Sequence, residues 1–440
     1  MLRNGFDSVC RARRITGLCL AAALISAFTQ AFPLAAPVHA ATPWPEFRGP
    51  TGDGVAQQKN LPVTWSESEG IAWKTPLDGK AWSSPVIWDG PVWLTNATAD
   101  GTRLSVVAVD PAQGKVVRDI TVFEIATPQF CHAFNSYASS TPEIEAGRIY
   151  AHYGSAGTAC LDTATGAILW MRQDLPCDHF RGAGSSPILH GDLLIIAFDG
   201  FDLQYVVALD KRTGKTVWRT DRNIDYGTQD GDAKKAYATA TVLESGGREQ
   251  IVLPSAGATI AYDPATGGEL WRVNHGGMNA SARPLFAHGL VYINTAGGGM
   301  GFLAVRPDGS GDVTGSKLVW KSTQGAGSRS SQLVLGDRLF LVGNAGTATV
   351  VDAANGKPVW QKRLGGEFSA SPILADGRIY ASNQNGETFV ISATDPYDVL
   401  ATNTLDDGCM ASPAVFDGAI YLRTKTHLYK IGRQPPAAAP

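Results

Sequence analysis

Adjacent cysteines and Cys-x-x-Cys spacings are both absent from the 440 residues, so zinc-ribbon and thiol-redox motifs have no support. Charge is sparse: 18% of residues are charged, 37 basic against 40 acidic, and they are scattered rather than blocked. A polynucleotide binder would concentrate basic residues, so that class is excluded. Beyond the first forty residues no apolar run is long enough to span a bilayer. Helical periodicity of useful length is missing, as are a phosphate loop, a Ser-His-Asp arrangement and a paired-carboxylate motif. What the chain does have is 49 glycines, 25 prolines and 11 tryptophans, a turn-rich composition with large apolar side chains to bury.

The N-terminus reads as an address. Arg3, Arg11, Arg13 and Arg14 precede an apolar run from Ile15 to about Phe28, and Val38-His39-Ala40 offers a small-residue cleavage site. This is the pattern of a secretory signal peptide over 1–40, so the mature protein is expected in the periplasm or outside the cell. Arg13-Arg14 also permits a twin-arginine reading, although the residues that follow favour the general route. Of six cysteines, Cys131, Cys160, Cys177 and Cys409 lie beyond the leader. Four thiols in an oxidising compartment allow three full pairings. Cys131 and Cys177 both sit in loops ahead of successive repeats and form the first candidate disulfide. Cys160 lies in an apolar strand pattern and reads as a buried free thiol.

A repeat runs the length of the rest. One unit, Asp-x-x-Thr-Gly-x-x-x-Trp, occurs with Asp162, Gly166 and Trp170; with Asp210, Gly214 and Trp218; and with Asp263, Gly267 and Trp271. A fourth copy has Asp352, Gly356 and Trp360. A degenerate copy at Asp110 carries Arg118 in the tryptophan slot. A second unit, small-Ser-Pro followed by two apolar stretches around a turn, recurs at Pro85, Pro142, Pro187, Pro284, Pro372 and Pro413, with Ala240 and Gln332 in the same slot. That makes eight units about 47 residues apart, the spacing of a four-stranded blade. Asp-Gly and Gly-Asp supply the left-handed residues that tight hairpins need, and Asp-x-x-Thr-Gly is a second hairpin turn.

These residues resemble the PQQ-type β-propeller repeat with its tryptophan-docking motif, over nearly the whole mature chain. The opening Trp44-Pro45-Glu46-Phe47-Arg48-Gly49-Pro50 resembles the start of exported, stand-alone members. The resemblance implies an all-β fold, an eight-bladed propeller of four-stranded antiparallel blades over 71–433. Residues 41–70 are expected to wrap the closing blade and 434–440 to form a tail. The C-terminal unit has three strands and no tryptophan strand, whereas Ile71-Ala72-Trp73-Lys74 is a tryptophan strand without a unit. Joining them would close the ring and remove its free edges.

The eight loops before the first strands should converge on one face. They bring Trp82, Asn135, Tyr137, His179, Arg181, Lys235, Tyr237, Asn279, Arg283, Arg329 and Glu367 together as candidates for a polar or anionic ligand, or for a peptide. Arg181, Lys235, Arg283 and Arg329 would make a basic ring; equally, such side chains could simply fill and hydrate a wide channel. His132 and His179 beside Cys131 and Cys177 invite a zinc reading, but their spacing matches no ligand signature. Asp225, Asp230 and Asp232 lack a calcium-loop pattern and read as a solvated turn.

Two functions follow from the resemblance. A quinoprotein dehydrogenase would hold PQQ and Ca²⁺ in the channel, beside a carboxylate base and a vicinal disulfide; the chain has no adjacent cysteines, and Glu367, Asp406 and Asp407, with Asp178 more distant from its strand, are its few candidate carboxylates. The alternative is a non-catalytic, exported, monomeric binding scaffold without cofactor. It is distantly similar to the BamB-type propellers of outer-membrane assembly, and its partner is an unidentified protein or polar ligand.

Overall fold

The computed structural model describes residues 42–432 except 326 and 328; the leader and tail expected from sequence lie outside the described residues. The described chain forms eight antiparallel four-stranded blades. Seven are continuous in sequence, at 86–124, 143–172, 188–221, 241–274, 285–322, 333–363 and 373–404. The eighth takes three strands from 414–431 and its fourth from Ile71–Pro76, which pairs antiparallel with His427–Ile431. The closure expected from the split Trp73 strand is therefore how the ring joins.

Burial explains the strand patterns. Middle strands such as Val92–Ala97 and Gln204–Asp210 are covered on both faces by neighbouring blades and are apolar almost throughout. Outermost strands such as Val116–Glu124 are exposed or half-buried along most of their length, with Val122 and Phe123 buried near the end.

The Asp-Thr-Gly turns lock as their chemistry requires. The Asp162 carboxylate accepts from the Thr165 amide at 2.7 Å and from its hydroxyl at 2.8 Å, and Asp210 and Asp263 repeat this. Each turn glycine is left-handed, with φ between 69° and 79° at Gly166, Gly214, Gly267 and Gly356. A tryptophan of the preceding blade lies on Gly214, Gly267 and Gly356, and Ile120 with Arg118 lies on Gly166. A methyl added to Gly214 would sit 2.6 Å from Trp170, one on Gly267 2.5 Å from Trp218, and one on Gly356 2.5 Å from Trp320. The indole N–H then donates to the turn, Trp170 to Lys211 O at 3.0 Å and Trp218 to Pro264 O at 2.9 Å.

The docked set differs from the four tryptophans of the repeat. Trp73 and Trp320 dock on Pro111 O and Ala353 O, each at 3.0 Å. Trp271 instead turns into the core and donates to Gln250 Oε1 at 2.6 Å, because Gly311–Asp312 of the next blade adds to its strand in parallel. Trp360 packs on Tyr397 at 5.8 Å, where the next blade has no Thr-Gly turn. Arg118 takes the tryptophan's place in its own copy, donating to Ala164 O and to Thr165 O.

A ring of hydroxyls joins the blades near the axis. The residue before each repeat proline donates its amide to the side chain of its counterpart in the next blade: Ser84 to Thr141 and Thr141 to Ser186, both at 3.0 Å, and Ser186 to Thr239 at 3.2 Å. On the far side, Arg283 donates to Ser331, Ser331 to Ser371, Ser371 to Ser412, and Ser412 back to Ser84, at 2.8–3.0 Å. The one interruption is position 283, where arginine replaces the hydroxyl residue.

The N-terminal segment crosses this channel. Trp44 exchanges two backbone bonds with Ile87 of the first blade, each 2.8 Å, and Pro45 O accepts from Ile144 of the second at 2.9 Å. Arg48 then reaches Gln332 O of the sixth blade at 2.7 Å and Pro372 O of the seventh at 3.3 Å. Val55–Ala56 adds a parallel strand to Leu374–Ala375. Further on, Trp65 stacks on Tyr380 at 6.4 Å and Glu67 pairs with Lys74 at 2.9 Å, covering the last two blades.

Candidate functional site

The pre-strand loops converge on a cavity of about 400 Å³ at the channel mouth. Its floor is Phe47 of the crossing segment, level with Ser84, Thr141, Ser186 and Ser412 of the hydroxyl ring. Six of the eleven sequence candidates line it: Trp82, Asn135, Arg181, Tyr237, Asn279 and Arg329. Trp82 is held by its indole N–H on Phe134 O at 3.1 Å, with the Lys80 ammonium 5.5 Å over the ring. The Asn135 amide donates to Arg181 O and Ala183 O, fixing one loop to the next.

The other five lie elsewhere. Tyr137 donates to Gln129 O at 2.9 Å and lines a smaller neighbouring cleft. His179 is buried, accepts the Ser155 amide on Nε2 at 3.0 Å, and is pushed down to about 4 by desolvation. Lys235 is fully buried against Asp232. Arg283 is buried under the floor, bonded to Glu46 at 2.9 Å and Phe47 O at 2.7 Å. Glu367 stands exposed at the rim, 3.6 Å from Arg329.

The basic ring expected from sequence is corrected by these pairings. Asp232 takes Arg181 on both oxygens, at 3.0 and 2.5 Å, and Lys235 as well; Glu46 takes Arg283, and Arg329 has Glu367 and Ser369. Each cation has a carboxylate; for the buried Lys235 and Arg283 an unpaired charge would be too costly, whereas Arg181 and Arg329 pair at the solvent edge. Asp232 is thus a counter-ion rather than part of a solvated turn.

The Cys131–Cys177 disulfide is also corrected: all four described cysteines are free. Cys131 faces Arg181 O and Gly182, whereas Cys177 turns under the next hairpin toward Leu203 O and Gly200. Desolvation pushes the Cys131 thiol up to about 11. Among the described residues no three His, Cys, Asp or Glu side chains gather as a metal-binding set.

Sequence reasoning missed two features. The floor by Phe47 was not visible in a motif read only as an opening. Beside the mouth, Phe130, Phe180 and Phe201 form an exposed row, 61%, 37% and 37% accessible, with ring centroids 6.0 and 5.2 Å apart. Phe180 has φ 55°, unusual for a bulky side chain and costly in backbone strain. Lys235 Nζ lies 4.7 Å from its ring and braces it from beneath. Phenylalanines in polar loops were the available signal.

The blades, the docking turns and the channel define a PQQ-type propeller. The family described as "Outer membrane protein assembly factor BamB" matches residues 105–220 and 202–434, and the chain belongs to it. One relative, BamB of Francisella salina, is 29% identical over 194 residues, 43% of this chain and 33% of the relative. The tetrathionate hydrolase of Acidithiobacillus ferrooxidans is 23% identical over 301 residues, 66% of this chain and 56% of the relative. The aligned segments thus span a third to just over half the length of these curated relatives. Among solved structures, BamB from Moraxella catarrhalis superposes with a TM-score of 0.56 at 14% identity, covering 82% of this chain and 99% of that one. Quinohemoprotein alcohol dehydrogenase from Comamonas testosteroni gives 0.66 at 11% identity, covering 90% and 82%. These two structural likenesses concern the fold. Among the described residues no helix is long and apolar enough to cross a membrane.

Proposed function

We propose that this protein is a non-catalytic scaffold of the cell envelope, exported by its N-terminal leader, that docks a protein partner on the mouth face and serves outer-membrane protein assembly. The observation that carries this reading is the Phe130–Phe180–Phe201 row. Exposed aromatics are characteristic anchors of protein interfaces; Phe180 at the centre of the row is fixed by its left-handed backbone, and the adjacent Arg181 adds a polar rim. Membership in the BamB family supports the same direction.

A quinone reading meets the wrong donor set. PQQ with Ca²⁺ would find indole, guanidinium, asparagine and hydroxyl groups in the cavity, but no carboxylate in the lining to neutralise the metal or act as the base. Glu367, the carboxylate at the rim, faces Arg329.

The test is photo-crosslinking in the cell, with a benzophenone side chain at position 180 and a control at Val359 on an exposed outer strand. A crosslink from 180 alone to a subunit of the outer-membrane assembly machinery, lost in Phe130→Asp/Phe201→Asp, is expected. Equal labelling from both positions, or none from 180, would remove the scaffold reading. A melting temperature raised by PQQ with Ca²⁺ would restore the enzyme.

A further inference from the structure

Under the floor of the cavity the crossing segment carries charge into the protein interior. Arg283 binds Glu46 Oε2 at 2.9 Å, and Arg48 sits nearby with Asp53 O as one acceptor at 2.5 Å. Pro45 O accepts from Ile144, which places Glu143 of the second blade next to Glu46. Glu143 is only 5% exposed, and its buried Oε2 has no hydrogen-bond partner. Arg48, Arg283, Glu46 and Asp53 balance one another: two cations, two carboxylates. Glu145, on the same strand as Glu143, is already held by Lys211 at 2.8 Å and Tyr150 at 2.7 Å. Ionised Glu143 would be a fifth charge, buried, without a counter-ion.

We propose that residues 44–56 are a removable plug of the channel, seated while the buried Glu143 carboxyl beside Glu46 and Arg283 keeps its proton, and released when that proton passes to solvent. Arg283 is the arginine that interrupts the hydroxyl ring. Its side chain gives up the ring's geometry to hold Glu46 and Phe47 O, and Gly52 packs directly on its guanidinium. Because Phe47 is the floor, release of the plug joins the mouth cavity to the opposite face.

The direction with pH follows from the charges. Desolvation, together with the neighbouring Glu46 charge, holds the Glu143 carboxyl well above the usual range, and desolvation also raises Glu46. A carboxyl raised in the closed state and ordinary in the open state stabilises closure fully below the ordinary value. It loses that contribution as pH climbs through the raised one.

The experiment is hydrogen exchange by mass spectrometry on the full chain, corrected for intrinsic rates, from pH 5 to 9. Protection of 44–56 should fall about tenfold per pH unit until Glu143 is ionised, while strands 378–392 of the seventh blade do not share that fall. Glu143→Gln mimics the protonated carboxyl and should keep the plug protected throughout. Glu46→Gln leaves one carboxyl for Arg283 and should flatten the slope as well. A wild-type slope that is flat or rising, or a Glu143→Gln slope equal to wild type, overturns the proposal. Loss of protection in blade and plug together would mean global unfolding and overturn it too.

Discussion

Three histidines show how single residues are tuned by burial. His152, His179 and His275 are 1%, 8% and 3% exposed, and desolvation pushes them down to about 3, 4 and 4. His152 shares a hydrogen with Thr158 Oγ1 at 2.8 Å and His275 with Thr259 Oγ1 at 3.0 Å. A group with a lowered folded value contributes nothing adverse above its ordinary 6.5, and costs stability as pH falls below that toward the folded value. Urea unfolding of wild type and His152→Gln at pH 7, 6 and 5 should therefore show wild type losing stability relative to the variant. The expected difference is roughly 1 kcal/mol per pH unit; parallel profiles would show that His152 titrates alike in the folded and unfolded chain. The sign is opposite to that of Glu143, whose contribution is lost as pH rises.

At the scale of the blade, the docking turn is the unit of cohesion. Trp218 covers Gly267, donates to Pro264 O, and is 8% exposed, so Trp218→Ala should cost roughly 3–5 kcal/mol. Arg118→Ala removes only exposed bonds to a turn and should cost about 1 kcal/mol. Denaturant midpoints compare the two directly, and equal losses would deny the tryptophan its packing role. The blades themselves were legible in the sequence, since turn glycines and apolar pairs are local signals a few residues apart. The convergence of Trp82, Asn135, Arg181, Tyr237, Asn279 and Arg329 followed from the ring alone. What was not legible depended on distant partners. Arg283 meets Glu46 across 237 residues, and Arg48 meets Pro372 across 324, so neither the neutralised cations nor the path of the crossing segment left a local mark. The cysteine pairing failed for a related reason: sharing adjacent loops says nothing about which way each Sγ points.

For the whole molecule, closure rests on strands from opposite ends of the chain. Ile71–Pro76 completes the eighth blade, and Arg423 bonds across to Ser83, Thr95 O and Asn96 of the first at 2.8–3.0 Å. A chain starting at residue 77 would leave the edge of His427–Ile431 unpaired. Such an edge is a template for other chains, so light scattering should find concentration-dependent oligomers instead of one species. A well-behaved monomer would mean that the ring closes without this strand.

The interrupted hydroxyl ring has a consequence for orientation. Eight blades of one repeat present eight nearly interchangeable seats to anything that lies across their axis, and a crossing strand could settle in any of them. Arg283 abolishes that degeneracy. By putting one unlike side chain into a circle of serines and threonines, it labels a single direction through the hub, which the N-terminus reads with Glu46. The mouth loops, and whatever binds them, thereby acquire a fixed bearing relative to the point where the chain enters the ring.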